Sequence, residues 1–232
     1  MILITSIWSW LNGISVTILV VSSCIFAIYY TIQSLRTKVK TYPFMAAIGY
    51  CLAIGFSGIM VSFIWMLLGN DANEVTQITN FLSYSTIGIG FWCAMYIAWD
   101  VFFDPKYKKR ALIILGINAV IFYIIVYAFM DIMVTTQKAE PGEILDDTLT
   151  YFSLAWWLGA ALLIIIFILL CGSVYRIRTK TSGVVRKKAT YLFLGFSLTV
   201  FGVMFDIMWI FPLIFIIRFW MVIGLVLWHE GL

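Results

Sequence analysis

Seven stretches of this chain run for about twenty residues with scarcely a charge, and that pattern limits the fold more than anything else in it. Twenty residues at 1.5 Å rise span the ~30 Å hydrocarbon core of a bilayer as a helix. Spanning β-strands would instead be about ten residues long and alternate in polarity. The expected fold is therefore an all-α integral membrane protein, a single seven-transmembrane-helix bundle over residues 1–232. The runs cover about 14–32, 44–68, 78–99, 111–130, 151–175, 190–210 and 213–229. Only 11% of residues are charged, against about 25% in soluble domains, and they cluster between the runs.

Those clusters set the expected orientation. Arg36, Lys38 and Lys40 follow the first run, and Lys106, Lys108, Lys109 and Arg110 follow the third. Arg176, Arg178, Lys180, Arg186, Lys187 and Lys188 follow the fifth. Alternate loops thus hold thirteen of the fifteen basic residues, while the others hold Lys138 among seven acids. By the positive-inside rule the N-terminus lies outside and the C-terminus in the cytoplasm of a multi-pass cell-membrane protein. Trp8 and Trp10, just before the first run, mark the outer interface. The opening residues have neither a basic n-region nor a small-residue cleavage site, so no removable signal peptide is expected.

The last forty apolar residues hold one acid, Asp206, and one base, Arg218. A turn at Pro212 places each about six residues, or ~9 Å, below the same membrane face on adjacent antiparallel helices. Ionisable groups at that depth have a partner or a task, so an intramembrane ion pair is expected. Around it, the outer half of the third run offers Asn80, Ser83 and Tyr84, the fifth offers Trp156 and Trp157, and the sixth ends in Trp209. Apolar and aromatic walls with a few convergent polar groups compose small-molecule sites between helices. Asp206, Arg218, Asn80, Tyr84, Trp156, Trp157 and Trp209 are the candidate ligand-binding set. The same tryptophans also suit an interfacial belt.

Small residues recur at four-residue spacing as Ala47, Cys51, Gly55 in the second run and Thr86, Gly90, Ala94, Ala98 in the third, which suits close packing within the bundle. Asn118 is expected to hydrogen-bond between helices. The loop at 131–150, with its Pro141-Gly142 turn signal, reads either as a solvated connection or as a cover over the outer mouth. A faint repeat pairs Gly58-Ile59-Met60, Ser62 and Trp65 with Gly202-Val203-Met204, Asp206 and Trp209. Cys24, Cys51, Cys93 and Cys171 read as buried hydrophobes.

Several chemistries drop out. His229 is the one histidine, which excludes a pair of axial histidines for haem and a His-based metal site. Every lysine falls in a loop, so there is no lysine for a retinal Schiff base. No phosphate loop, nucleophile elbow or zinc-protease motif occurs, and no enzymatic activity, cofactor or nucleic-acid partner is expected. The seven-helix, N-outside layout resembles rhodopsins and other seven-helix receptors in topology, and is similar to small three-plus-one-plus-three transporters, with no residue motif matched. The expectation is a receptor or sensor that binds a small apolar or lipid-like ligand from the outer side. The alternatives are a small-solute secondary transporter and a non-catalytic scaffold subunit. With no soluble output domain in the sequence, any signal is expected to pass to a cytoplasmic partner, with the basic loop 176–189 as its dock.

Overall fold

The computed structural model describes residues 7–102, 105–137, 139–140, 143–208 and 213–232; for residues 100–102, 105, 108, 111, 137 and 208 this covers the backbone alone. Six helical stretches are long and apolar enough to cross a membrane, so the chain is a multi-pass membrane protein. They are α1 (Ile7–Arg36), α2 (Tyr42–Leu67), the pair α3 (Thr76–Ser85) and α4 (Ile87–Phe102), then α7 (Leu154–Lys180), α8 (Gly183–Met208) and α9 (Ile214–Gly231). Helix α5 (Pro105–Ala128) has a shorter apolar stretch, Leu112–Ala128. A single turn of helix, α6 (Met130–Met133), leads into strands β1 (Val134–Gln137) and β2 (Asp146–Leu149).

Neighbours in the bundle run α1, α2, α3 with α4, α7, α8, α9 and back to α1, which closes a ring. Helix α5 stands outside it against α4 and α7. Large aliphatic side chains face outward all around, as Ile14, Ile18, Val21 and Ile25 do on α1 and Ile113, Ile117, Val120 and Ile124 on α5. Inward positions of α1 include Gly13, Ser15 and Ser23. Such an arrangement suits lipid, where helices gain nothing by hiding leucine or isoleucine and associate through close backbone packing.

Glycines provide that packing. A Cβ on Gly58 would stand 2.5 Å from the Thr79 carbonyl oxygen, and one on Gly90 3.3 Å from Cys51 Cβ. The Thr79 hydroxyl donates to the Gly58 carbonyl at 3.2 Å and Thr86 to that of Cys51 at 2.8 Å. The small-residue stripes of the second and third runs therefore face each other. A second seam joins α8 to α9, where a Cβ on Gly195 would lie 2.7 Å from the Trp228 amide nitrogen.

Four expectations need correction. The first helix starts at Ile7 rather than near 14, so Trp8 and Trp10 sit within it, packed against Phe215 and Phe63. The third run, 78–99, is not one helix, because it breaks at Thr86, whose hydroxyl bonds to α2. The basic segment 176–189 is mostly helix: α7 runs on to Lys180 and α8 starts at Gly183, which takes φ +62° in the tight turn. Asn118 donates to the Ile114 carbonyl of its own helix at 3.1 Å and makes no bond to a neighbouring helix among the described residues. One turn of backbone is a nearer acceptor than any facing side chain.

Candidate functional site

The loop after α5 folds into the end of the bundle. Strands β1 and β2 pair antiparallel, with Val134 opposite Leu149 and Thr136 opposite Asp147. Leu145, Leu149 and Thr148 are buried, and the Leu145 amide donates to the Ser62 hydroxyl of α2 at 2.9 Å. Of the two readings of this loop, the cover is the one that matches its packing. Successive strand residues point to opposite faces, so the adjacent acids Asp146 and Asp147 serve different partners.

Asp206 and Arg218 meet as the matching depths require. Arg218 Nε donates to Asp206 Oδ1 at 2.8 Å, and the arginine is fully buried. The hairpin supplies a third member, since Arg218 Nη2 lies 3.3 Å from Asp146 Oδ1. Arg218 Nη1 is buried without a partner. Asp147, on the other strand face, accepts from Ser83 Oγ at 3.1 Å and is hydrogen-bonded to the Tyr84 hydroxyl. Burial first, and then the charge of Asp146, push the Asp147 carboxyl up to about 7, against the pull of the Tyr84 and Ser83 hydrogen bonds. Alongside, Asn80 Nδ2 donates to Thr136 Oγ1 at 2.9 Å, and the threonine hydroxyl faces Asn80 Oδ1 at 3.1 Å.

Below this cluster lies a cavity of about 120 Å³, inside the ring of helices. Ser83, Tyr84, Asp147 and Asp206 line it at the hairpin end, and Ile48, Leu170 and Trp228 line it toward the other. Asp206 and Phe196, both in the wall, are ten residues apart on α8, ~15 Å along its axis. Most of the wall is aliphatic or aromatic, with Ile59, Phe91, Ile166 and Val200 among its residues.

The seven candidate residues therefore divide. Tyr84 and Asp206 line the cavity. Arg218 and Asn80 sit behind it, one clamping Asp206 to Asp146 and the other holding β1. Trp156 packs between the core clusters with its indole nitrogen buried and unpartnered, while Trp157, 55% exposed, faces outward. Trp209 lies outside the described residues, as does the turn at Pro212. Sequence reasoning missed Asp146 and Asp147. The alternating Val-Thr-Thr and Thr-Leu-Thr segments on either side of Pro141-Gly142 were the hairpin signal that points to them.

Among the described residues, no three His, Cys, Asp or Glu side chains are placed to hold a metal ion. No protein-family model matches the chain, and no curated protein matches its sequence.

Proposed function

We propose that this chain is a seven-helix membrane receptor or sensor that takes a small apolar or lipid-like ligand into the bundle from the outer side. The observation that carries it is the apolar cavity of about 120 Å³ roofed by a docked hairpin and a buried charge cluster. An apolar cavity of ~150 Å³ holds benzene, so one of about 120 Å³ suits a small ligand or the end of a longer apolar one. A ligand there would touch α2, α3, α4, α7, α8 and β2 together, so its arrival would bias their relative positions.

Seven crossings follow if α5 counts as one, since its seventeen apolar residues reach the lower limit for a span. The basic loops then face the cytoplasm and the hairpin faces outward, in the cell membrane. The basic ends of α7 and α8 would report to a cytoplasmic partner. The reading includes no catalytic role and no cofactor. A transporter is the second reading, and two features favour it: the third crossing is broken at Thr86, and α5 stands outside a ring made of three helices on either side of it in sequence.

Native mass spectrometry of the chain purified in nanodiscs tests the proposal. A small molecule that co-purifies, and is lost when Val203→Trp fills the cavity, supports a ligand site. Retention unchanged in that variant contradicts it. Solute uptake into liposomes by the purified chain would decide for transport.

A further inference from the structure

Helix α5 carries one polar group in its apolar stretch that the rest of the bundle does not use. Asn118 is the seventh of the seventeen residues Leu112–Ala128, ~9 Å from the nearer end. Its Nδ2 donates to the Ile114 carbonyl, and among the described residues its Oδ1 accepts nothing. The side chain is half-buried, and that oxygen is not enclosed by the protein. Hydrocarbon offers it no donor, so an open amide at this depth is costly.

A second observation is the side of α5 on which Asn118 lies. The helix is tied to the bundle on its other flank. There the Tyr123 hydroxyl accepts from the Ile89 amide at 3.2 Å, and the Tyr127 hydroxyl donates to the Phe81 carbonyl at 3.0 Å. Those tyrosines stand ~140° and ~180° round the helix from Asn118. On the near flank, Ile114, Asn118, Ile121, Ile125 and Ala128 follow one another in steps of four, three, four and three residues. That spacing is the heptad seam by which two helices interlock, here with an asparagine among the apolar positions. Ile114 is 59% exposed and Ile121 40%, so a single chain leaves the seam uncovered.

We infer that the chain pairs with a second copy of itself along this stripe of α5, with Asn118 against Asn118. The inference rests on α5 being a crossing. Copies inserted the same way round are related by a two-fold axis along the membrane normal. That axis sets their α5 helices parallel, and a residue beside it faces its own counterpart at equal depth. Asparagine suits such a meeting because its side chain holds both an acceptor and donors. The second N–H and the Oδ1 of each amide exchange two hydrogen bonds across the axis, while the bond to Ile114 stays in place. A single such residue in an apolar seam fixes register and copy number.

Single-molecule photobleaching of the full chain, with one fluorophore per copy, tests it in phosphatidylcholine bilayers over a range of protein densities. Two-step bleaching is expected to take over from one-step as density rises. Asn118→Leu is expected to move that transition roughly tenfold higher in density, and Asn118→Gln, which keeps donor and acceptor, only slightly. The leucine variant should keep its Tm, since an apolar side chain replaces an amide that faces lipid. One-step bleaching at every density, or a transition that Asn118→Leu leaves in place, overturns the pairing. The unmutated chain decides the matter if the variants fail to fold. Cysteines at Lys109 and Glu143, labelled with an impermeant maleimide, test the crossing separately. Labelling from opposite faces leaves the seven-helix reading standing whatever the bleaching shows, and labelling from one face overturns both.

Discussion

Arg218 is the residue on which the hairpin end depends, because it is fully buried and held by two carboxylates. Removing one partner of a buried pair strands the other charge, at a cost of about 3–5 kcal/mol. Asp206→Ala should therefore lower Tm well below Asp206→Asn, which keeps an acceptor for Nε. Equal melting temperatures would mean the pair is hydrated. Asp147 makes a separate prediction. Its carboxyl titrates at about 7 in the fold and near 3.9 when unfolded. Between those values the folded chain binds the extra proton, so this carboxyl's contribution to stability is fully present below about pH 3.9 and is lost as pH rises to about 7. Asp147→Asn should flatten that fall in a series of melts, and an unchanged slope would show that the group does not carry it. The pairing of Asp206 with Arg218 was legible because depth from a turn follows from counting residues. Asp146 was not legible, because a loop acid has no depth until the strand that carries it is placed.

At the scale of elements, the helices were legible and their joints were not. Hydropathy finds about twenty apolar residues without regard to a hydroxyl that bonds sideways, so the break at Thr86 left no trace in it. Nor does it separate a loop from a helix that continues past the membrane, as α7 and α8 do with their basic ends. The small residues were legible as a spacing for α2 against the third run, whose stripe lies on α4 from the joint at Thr86 onward. The α8–α9 seam at Gly195 and Gly224 needed both helices in place, since its residues come from two runs. A Cβ on Gly224 would meet the Thr199 hydroxyl at 2.6 Å and the Gly195 carbonyl at 3.0 Å, so Gly224→Val should destabilise by about 1–3 kcal/mol or more. Gly55→Ala is the control, because its added Cβ finds nothing nearer than 3.6 Å. Chemical denaturation that ranked the two substitutions equally would contradict the close seam.

For the whole molecule, loop charge and run length together describe an alternating bundle, and the ring of helices adds what a sequence does not hold: an interior. Gly58 packs α2 on α3 and Gly202 packs α8 on α9, each helix against its successor. Orientation makes its own prediction. A cysteine at Glu143 should react with an impermeant maleimide in intact cells, and one at Lys187 only after permeabilisation; the reverse would invert the bundle. If the apolar chamber under the hairpin holds a ligand, an experimental structure of the chain purified from its native membrane will show it. Elongated non-protein density is expected between Asp147 and Phe196, with Asp146, Arg218 and Asp206 joined above it. A chamber filled by its own side chains, with Asp147 turned out to solvent, would contradict it.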